Sequence, residues 1–164
     1  REVHQLQEFL KAHVAGAEKV TVIDVHSGLG GFGEELLFVD ADGNPATPAY
    51  FQRIFGRPVT FSDPAKGLYK NQGPLWDAFR HSLPGADLHY VLQEFGAREF
   101  TTTLNALREE NCEWQRRPRG AMPSLRVRGL MLNAFCPGEP EWWANVQEKA
   151  QLRWRQALAE LEKG

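Results

Sequence analysis

Two segments of the sequence place polar residue types at the end of a predicted β-strand. His26 and Ser27 follow a β-branched run over residues 20–25, and a glycine-rich segment, residues 28–33, comes directly after them. Glu94 interrupts a second apolar run close to its carboxyl end. Open α/β sheets bind ligands beyond the carboxyl ends of their strands. An imidazole and a carboxylate in such places are suited to metal binding and to general acid–base catalysis.

The glycine-rich segment matches the residue pattern of a dinucleotide-binding motif, because Gly28, Gly30 and Gly33 are spaced as G-x-G-x-x-G after a strand. That motif also needs its third glycine inside a helix and an acidic residue about 20 positions further on. Arg53 stands at that distance, and two glutamates that would repel a phosphate follow Gly33 immediately. We therefore favour other roles for this segment.

Each candidate residue also has a purely structural interpretation. A single histidine carries little information, and His26 can equally be a hydrogen-bonded loop residue. Asp24 is expected on the same face of the strand as His26, where its carboxylate can orient the imidazole ring. A carboxylate within an apolar strand costs several kcal/mol of desolvation unless it is paired or functional. Alternatively, Glu94 marks the solvent-facing end of its strand.

The elements that must position these segments alternate between helix and strand. The run at 20–25 is continuous and β-branched, which predicts a buried central strand. Residues 62–72 are expected to form a loop, and residues 115–129 are rich in Arg and Pro. The alternation predicts an α/β fold with a mixed sheet flanked by helices. We predict strands at 20–25, 36–39 and 88–95, and helices at 2–15, 47–55, 73–83, 101–114 and 139–162.

Composition limits the class of protein. The chain of 164 residues is one domain in size, and its 42% of hydrophobic residues suffice for a core. The formal net charge of −2 argues against a nucleic-acid partner. No run approaches the 18 apolar residues of a membrane span, so we expect no membrane partner. The chain begins with Arg1 and shows no signal peptide, so we expect a cytoplasmic protein whose true amino terminus lies upstream.

The two segments carry a family resemblance. Residues 22–33, Val-Ile-Asp-Val-His-Ser-Gly-Leu-Gly-Gly-Phe-Gly, resemble the Asp-x-His-Thr-Gly-Leu-Gly-Pro-Tyr-Gly segment of an uncharacterised family. That family is related to zinc carboxypeptidases and to succinylglutamate desuccinylase and aspartoacylase. Residues 94–97 resemble its Glu-Phe-Gly-Thr segment, and residues 104–111 resemble the helix that follows. The carboxyl-terminal part of its pattern is matched by Phe135, Pro137 and Trp142.

The resemblance implies a zinc-exopeptidase-like, phosphorylase/hydrolase-like domain that hydrolyses an amide bond. His26 matches a zinc ligand of that clan. Glu94 matches the catalytic glutamate, which activates a zinc-bound water as general base and then protonates the leaving group. Ser27 and Gly28 are expected to shape the floor of the substrate site. Tyr69 lies on a loop ahead of Glu94, as does a mobile substrate-site tyrosine of carboxypeptidases, and a plain loop tyrosine is the alternative.

One departure from the family pattern is serious. The clan holds zinc with a His-x-x-Glu pair in addition to the strand-end histidine, and none of the five histidines here is followed by Glu three residues later. We therefore expect residues 1–164 to be the carboxyl-terminal half of a catalytic domain. The amino-terminal half would be the partner that supplies the pair and completes the Zn²⁺ site.

Three functions remain open at this point. The first is zinc-dependent hydrolysis of a peptide bond in the manner of a metallocarboxypeptidase. The second is hydrolysis of an N-acyl amino acid by the same zinc and glutamate. The third is a non-catalytic module that kept the fold and lost metal binding. An intact His-x-x-Glu upstream would favour an enzyme, and its absence from the full protein would favour the module.

Overall fold

The computed structural model describes residues 2–40, 44–62 and 75–163, and it confirms the α/β class. Helices and strands are interspersed up to the last strand, and three helices follow it. The strands are β1 (Lys19–Ser27), β2 (Glu35–Asp40), β3 (Thr60–Ser62) and β4 (Asp87–Phe95). The helices are α1 (Glu2–His13), α2 (Thr47–Phe55), α3 (Leu75–Ser82), α4 (Phe100–Arg116), α5 (Leu125–Phe135) and α6 (Pro140–Leu161).

The four strands form one small mixed sheet in the order β1-β4-β2-β3. β2 and β3 pair in parallel. β1 and β4 are also parallel, because the Asp87 N–H donates to the Glu18 carbonyl at one end and the Gly28 N–H donates to the Phe95 carbonyl at the other. β2 is antiparallel to β4, since residue 34 bonds to residue 96 and residue 44 reaches residue 88.

The prediction of a buried central strand at residues 20–25 is wrong. β1 is the outermost described strand on its side of the sheet, and none of its residues is fully buried. Composition alone does not distinguish these positions, since a β-branched run suits any pleated surface and strand order depends on contacts distant in sequence. The carboxyl end of β1, where His26 lies, is accordingly exposed.

Two elements were not predicted. β3 extends the sheet by three residues just before the predicted loop. α5 begins inside the stretch rich in Arg and Pro, where the Ser124 hydroxyl caps it by accepting a hydrogen bond from the Val127 N–H at 3.2 Å. A serine ahead of an apolar helical pattern is a recognised helix start, so this signal was available in the sequence. Residues 63–74, with most of the predicted loop and the predicted helix start at 73, lie outside the described residues.

The chain divides into two compact units, of which the first comprises Arg1–Asp24, Leu37–Leu92 and Trp154–Gly164. Its core packs α2 against the sheet. The helix begins with Thr47, and Ala46 is its N-cap. The buried members of this core are Leu37, Val39, Tyr50, Phe51, Phe55 and Val91.

The second unit comprises Val25–Leu36 and Gln93–Arg153. Phe95, Ala97 and Trp142 form its small apolar core, and Val146 of α6 packs against them. Trp142 is thus buried in this core, whereas Trp143 is 42% exposed. Within the described part of the chain, none of the helices is both long and apolar enough to cross a membrane.

His89 is a buried titratable group in the first unit. Its ring stacks on Tyr50 with a centroid distance of 3.9 Å, its Nδ1 is hydrogen-bonded to the Thr47 hydroxyl at 3.1 Å, and its Nε2 lies 3.3 Å from Asp87. Burial lowers the pKa of His89 below its usual value, and the nearby Asp87 carboxylate only partly offsets this effect.

We predict that this burial makes the free energy of unfolding fall in mild acid. Below about pH 6.5 the histidine of the unfolded chain binds a proton that the folded chain still excludes, so stability is full above that pH and declines below it. Urea unfolding between pH 7.5 and 5 measures the slope. The slope should be smaller in His89→Gln, which carries no titrating ring, and equal slopes in both proteins would contradict the prediction.

Candidate functional site

The register of β1 and β4 brings His26 and Glu94 together. The bonds at both ends of the pair set Lys19 opposite Asp87 and Ser27 opposite Phe95. The same register, one residue back from the carboxyl end, sets His26 opposite Glu94. Opposite residues of paired strands share a face of the sheet, and neighbouring strands lie about 4.8 Å apart. The two candidates for metal binding and acid–base catalysis are therefore neighbours.

Glu94 is a buried carboxylate, only 5% exposed. Its Oε1 accepts a hydrogen bond from the Leu29 N–H at 2.9 Å, so the glycine-rich segment holds one of its two oxygens. The interpretation of Glu94 as the solvent-facing end of its strand is therefore wrong. A backbone donor fixes the direction of a carboxylate, which a general base needs. His26 opposite it is exposed.

The glycine-rich segment, residues 28–33, is a tight loop that lies against Gly96. The Gly33 N–H donates to the Gly96 carbonyl, and the Gly96 N–H donates to the Glu34 carbonyl, each at 2.9 Å. A Cβ on Gly96 would lie 1.9 Å from the Gly31 carbonyl oxygen, a distance at which the two atoms overlap. Because the loop is followed by β2 and not by a helix, it does not form a dinucleotide-binding motif.

We predict that Gly96→Ala lowers the free energy of unfolding by at least about 3 kcal/mol, since the methyl group would enter the loop backbone. Urea denaturation followed by circular dichroism measures the change. Gly138→Ala is the control, because nothing lies within 4 Å of a Cβ at that position. The control should change stability by less than about 1 kcal/mol. Equal stabilities for the two variants would show that the loop does not pack on Gly96 as described.

The predicted floor residues lie beside the glutamate. A Cβ on Gly28 would be 3.8 Å from Glu94 Oε1 and 2.8 Å from the Phe135 ring, and Gly28 has a φ of 136°. Only glycine adopts that conformation without strain and also admits the Phe135 ring this closely. The Ser27 hydroxyl donates to the Phe135 carbonyl at 2.6 Å, which ties the end of β1 to α5. A substrate role for Ser27 and Gly28 stays a prediction.

α6 anchors this loop in a way that the sequence did not predict. The Trp142 Nε1–H donates to the Gly96 carbonyl at 2.8 Å, and the Lys149 ammonium donates to the Gly33 carbonyl at 2.8 Å. The two donors are seven residues apart on α6, and their acceptors lie 46 and 116 residues away in sequence. No local pattern in the sequence signals such a contact.

Asp24 and Tyr69 are the remaining residues for which the sequence predicted a role at the site. Asp24, expected to orient the His26 ring, accepts a hydrogen bond from the Tyr90 hydroxyl. Burial, together with that bond, raises the pKa of Tyr90 far above its usual range, so its phenol stays protonated. The orienting role of Asp24 toward His26 is untested. Tyr69 lies outside the described residues.

Arg98 is the nearest arginine in sequence to Glu94, and its guanidinium is already paired with a carboxylate. Its guanidinium donates to Glu139 at 2.5 Å and to the Asn133 side chain at 2.8 Å, and it lies 5.5 Å from the centre of the Phe32 ring. The same contact holds the pKa of Glu139 below its usual value. Arg98 is thus committed to joining the loop to α5 and α6, and it is a poor candidate for binding a substrate carboxylate.

The residue types at this site, His26 and Glu94, suit a catalytic zinc centre that has further ligands. An imidazole nitrogen is a preferred zinc ligand, and a neighbouring carboxylate that is not a ligand is typical of catalytic sites. Catalytic zinc, however, takes three protein ligands. Among the described residues, no group of three or more His, Cys, Asp or Glu side chains is arranged to hold a metal ion. The site would therefore need ligands besides those described.

Residues 2–149 match the model of a protein family whose description reads "Protein of unknown function (DUF2817)". The chain belongs to the DUF2817 family. The match covers both strands of the His26 and Glu94 pair, the glycine-rich loop and α5, so the site lies entirely within the DUF2817 region. No curated protein and no solved structure matches the chain significantly.

Proposed function

We propose that this DUF2817 protein contributes to zinc-dependent hydrolysis of an amide bond, in the manner of a metallocarboxypeptidase. The observation that supports the proposal most is the pairing of His26 with a buried, oriented Glu94 at the carboxyl ends of two parallel strands. Burying a carboxylate is costly, and a site that needs a directed base is a common reason for it. The resemblance of residues 22–33 and 94–97 to zinc carboxypeptidase relatives points to the same chemistry.

Glu94 is the general base and then the general acid in this proposal. The Leu29 N–H holds one carboxylate oxygen, so the carboxylate keeps one direction while it accepts a proton from the attacking water. The same carboxyl group then delivers the proton to the amide nitrogen as the carbon–nitrogen bond breaks. The water oxygen ends in the new carboxylate of the product, and Glu94 returns to its ionised form.

His26 is the proposed metal ligand of this chain. When bound, zinc would polarise the substrate carbonyl and lower the pKa of water. Gly28, which lies against the Phe135 ring and beside Glu94 Oε1, is the proposed floor of the substrate site. Peptides and N-acyl amino acids both present the required amide bond, and either class of substrate fits these roles.

We propose that the remaining zinc ligands come from a His-x-x-Glu segment outside residues 1–164. The resemblance supports this assignment, since the clan uses such a pair and the pattern does not occur in residues 1–164. A protein with only one ligand in place would bind zinc weakly.

The decisive experiment compares metal content in variants of the full-length protein. His26→Ala should lower zinc occupancy, because the site would keep two protein ligands, and hydrolysis of a small amide substrate should fall with it. His4→Ala is the control, since the His4 side chain is 77% exposed and far from β1 in sequence. Full zinc occupancy in His26→Ala would remove His26 from the site.

We further predict that residues 1–164 alone bind zinc with an affinity weaker than about 1 μM, since one credible ligand is present where catalytic sites use three. Isothermal titration calorimetry with zinc chloride measures the affinity. Submicromolar binding by these residues that is lost in His26→Ala would show that the chain carries a complete site, and it would overturn the proposal that ligands come from outside.

A further inference from the structure

A cavity of about 480 Å³ lies in the second unit, beside the packed pair of helices α4 and α5. Its apolar lining residues are Pro123, Val127, Met131, Leu132 and Phe135. Val127 is fully buried and Leu132 is 59% exposed, so the cavity opens from the packed interior to solvent. Small-molecule sites have volumes of about 300–1,000 Å³, mostly apolar walls and a few polar groups that orient the ligand. The cavity has the size and the walls of such a site.

Two side chains of opposite charge also line this cavity. Glu110 comes from α4 and Arg128 from α5. Neighbouring charges on the same two helices are paired with each other, since the Arg126 guanidinium donates to the Glu109 carboxylate at 2.6 Å. Within the part of the chain that the structure describes, neither Glu110 nor Arg128 has an ion-pair partner, and the two do not pair with each other. The cavity therefore presents one carboxylate and one guanidinium to a ligand.

These two charges determine which class of ligand satisfies the cavity. An apolar carboxylic acid would pair with Arg128 but would leave Glu110 beside a group that cannot donate to it. An apolar amine would pair with Glu110 and leave Arg128 without an acceptor. Glu110 is half-buried, and a carboxylate that loses water without gaining a donor is destabilised. A zwitterion with an apolar side chain supplies the ammonium, the carboxylate and the apolar body together.

We infer that this cavity binds an apolar amino-acid zwitterion, either a free amino acid or a short peptide. The Glu110 carboxylate accepts from the ligand's ammonium, the Arg128 guanidinium donates to its carboxylate, and its side chain packs on the apolar walls. This inference does not rest on the proposed hydrolysis, because it involves no metal and neither His26 nor Glu94.

Titration of the isotope-labelled protein with L-leucine, followed by two-dimensional NMR in the absence of zinc, tests the inference. Leucine should shift the amide resonances of Glu110 and Arg128 saturably, with a Kd of about 1 mM or tighter. Glycine should bind at least about 10-fold more weakly, because it has no apolar side chain to bury. Absence of saturable shifts in α4 and α5 would overturn the inference.

Two analogues of leucine, each lacking one charge, make the test specific. Isocaproate lacks the ammonium, and isoamylamine lacks the carboxylate. Glu110→Gln should weaken the binding of leucine by at least about 10-fold but should not weaken that of isocaproate. Arg128→Gln should weaken the binding of leucine by a similar factor but should not weaken that of isoamylamine. A variant that merely disturbed the fold would weaken all three ligands alike, and that result would contradict the assigned contacts.

Glu109→Gln and Arg126→Gln are the matched controls. These two charges lie on the same helices, pair with each other and are not among the residues that line the cavity. Both variants should bind leucine as the unaltered protein does. Phe135 is left unchanged, because its ring also lies against Gly28 of the candidate site.

The remaining outcomes identify the ligand. Isocaproate that binds as tightly as leucine would make the ligand a simple apolar acid and overturn the zwitterion assignment. Leucyl-leucine that binds more tightly than leucine, with the same dependence on Glu110 and Arg128, would make a short peptide the ligand, and the reverse order would make it the free amino acid. Leucine should bind equally well to His26→Ala, so a failure of the proposed zinc site would leave this inference standing.

Discussion

Replacing Glu94 with glutamine is expected to lower the turnover of an amide substrate by about 10²–10⁴-fold in the full-length protein, which is the effect of removing a general acid–base group. Glutamine has nearly the same shape and can still accept the Leu29 N–H through its carbonyl oxygen. It cannot take up a proton near neutral pH. The loss should therefore appear in kcat, with the fold and the loop unchanged.

Zinc content separates the roles of the two residues. Glu94→Gln should keep its zinc, because Glu94 is not a ligand in this mechanism, whereas His26→Ala should lose it. Both variants are measured side by side for metal content and for turnover. Near-normal turnover in Glu94→Gln would contradict its role as base, and loss of zinc comparable to that of His26→Ala would show that it is a ligand instead.

The second large effect is expected at a buried ion pair in the second unit. Arg153 forms two hydrogen bonds with Glu35, at 2.9 and 2.8 Å, and the Gln93 amide donates to the same carboxylate at 2.7 Å. The side chains of Arg153 and Glu35 are only 7% and 1% exposed. Arg153→Met would leave a carboxylate buried without this guanidinium. The expected loss is about 3–5 kcal/mol in the free energy of unfolding.

Urea denaturation of three variants tests the source of that loss. Arg155→Met is the matched control on the same helix, since Arg155 is exposed, and it should change stability by less than about 1 kcal/mol. The double variant with Glu35→Gln and Arg153→Met should be more stable than Arg153→Met alone, because it carries no uncompensated buried charge. A double variant that loses the sum of both single effects would show that packing, not charge, dominates.

Local residue patterns determined the α/β class and most of the helices and strands. Strand β4 and helix α2 are found where apolar periodicity and turn residues predicted them. The candidate pair was also visible in the sequence, because strand ends are where α/β sheets place functional groups. Such patterns depend on neighbours within a few turns of chain, which is why they are readable without a structure.

The tertiary structure decided what depends on contacts distant in sequence. The register of β1 and β4 set His26 opposite Glu94, although the two residues are 68 positions apart in the sequence. The burial of Glu94, the close packing of Gly96 on the loop and the pairing of Glu35 with Arg153 likewise join distant segments. The position of β1 at the sheet edge contradicted the prediction of a buried central strand. Strand order follows from the total packing of the chain, and a β-branched run by itself does not encode it.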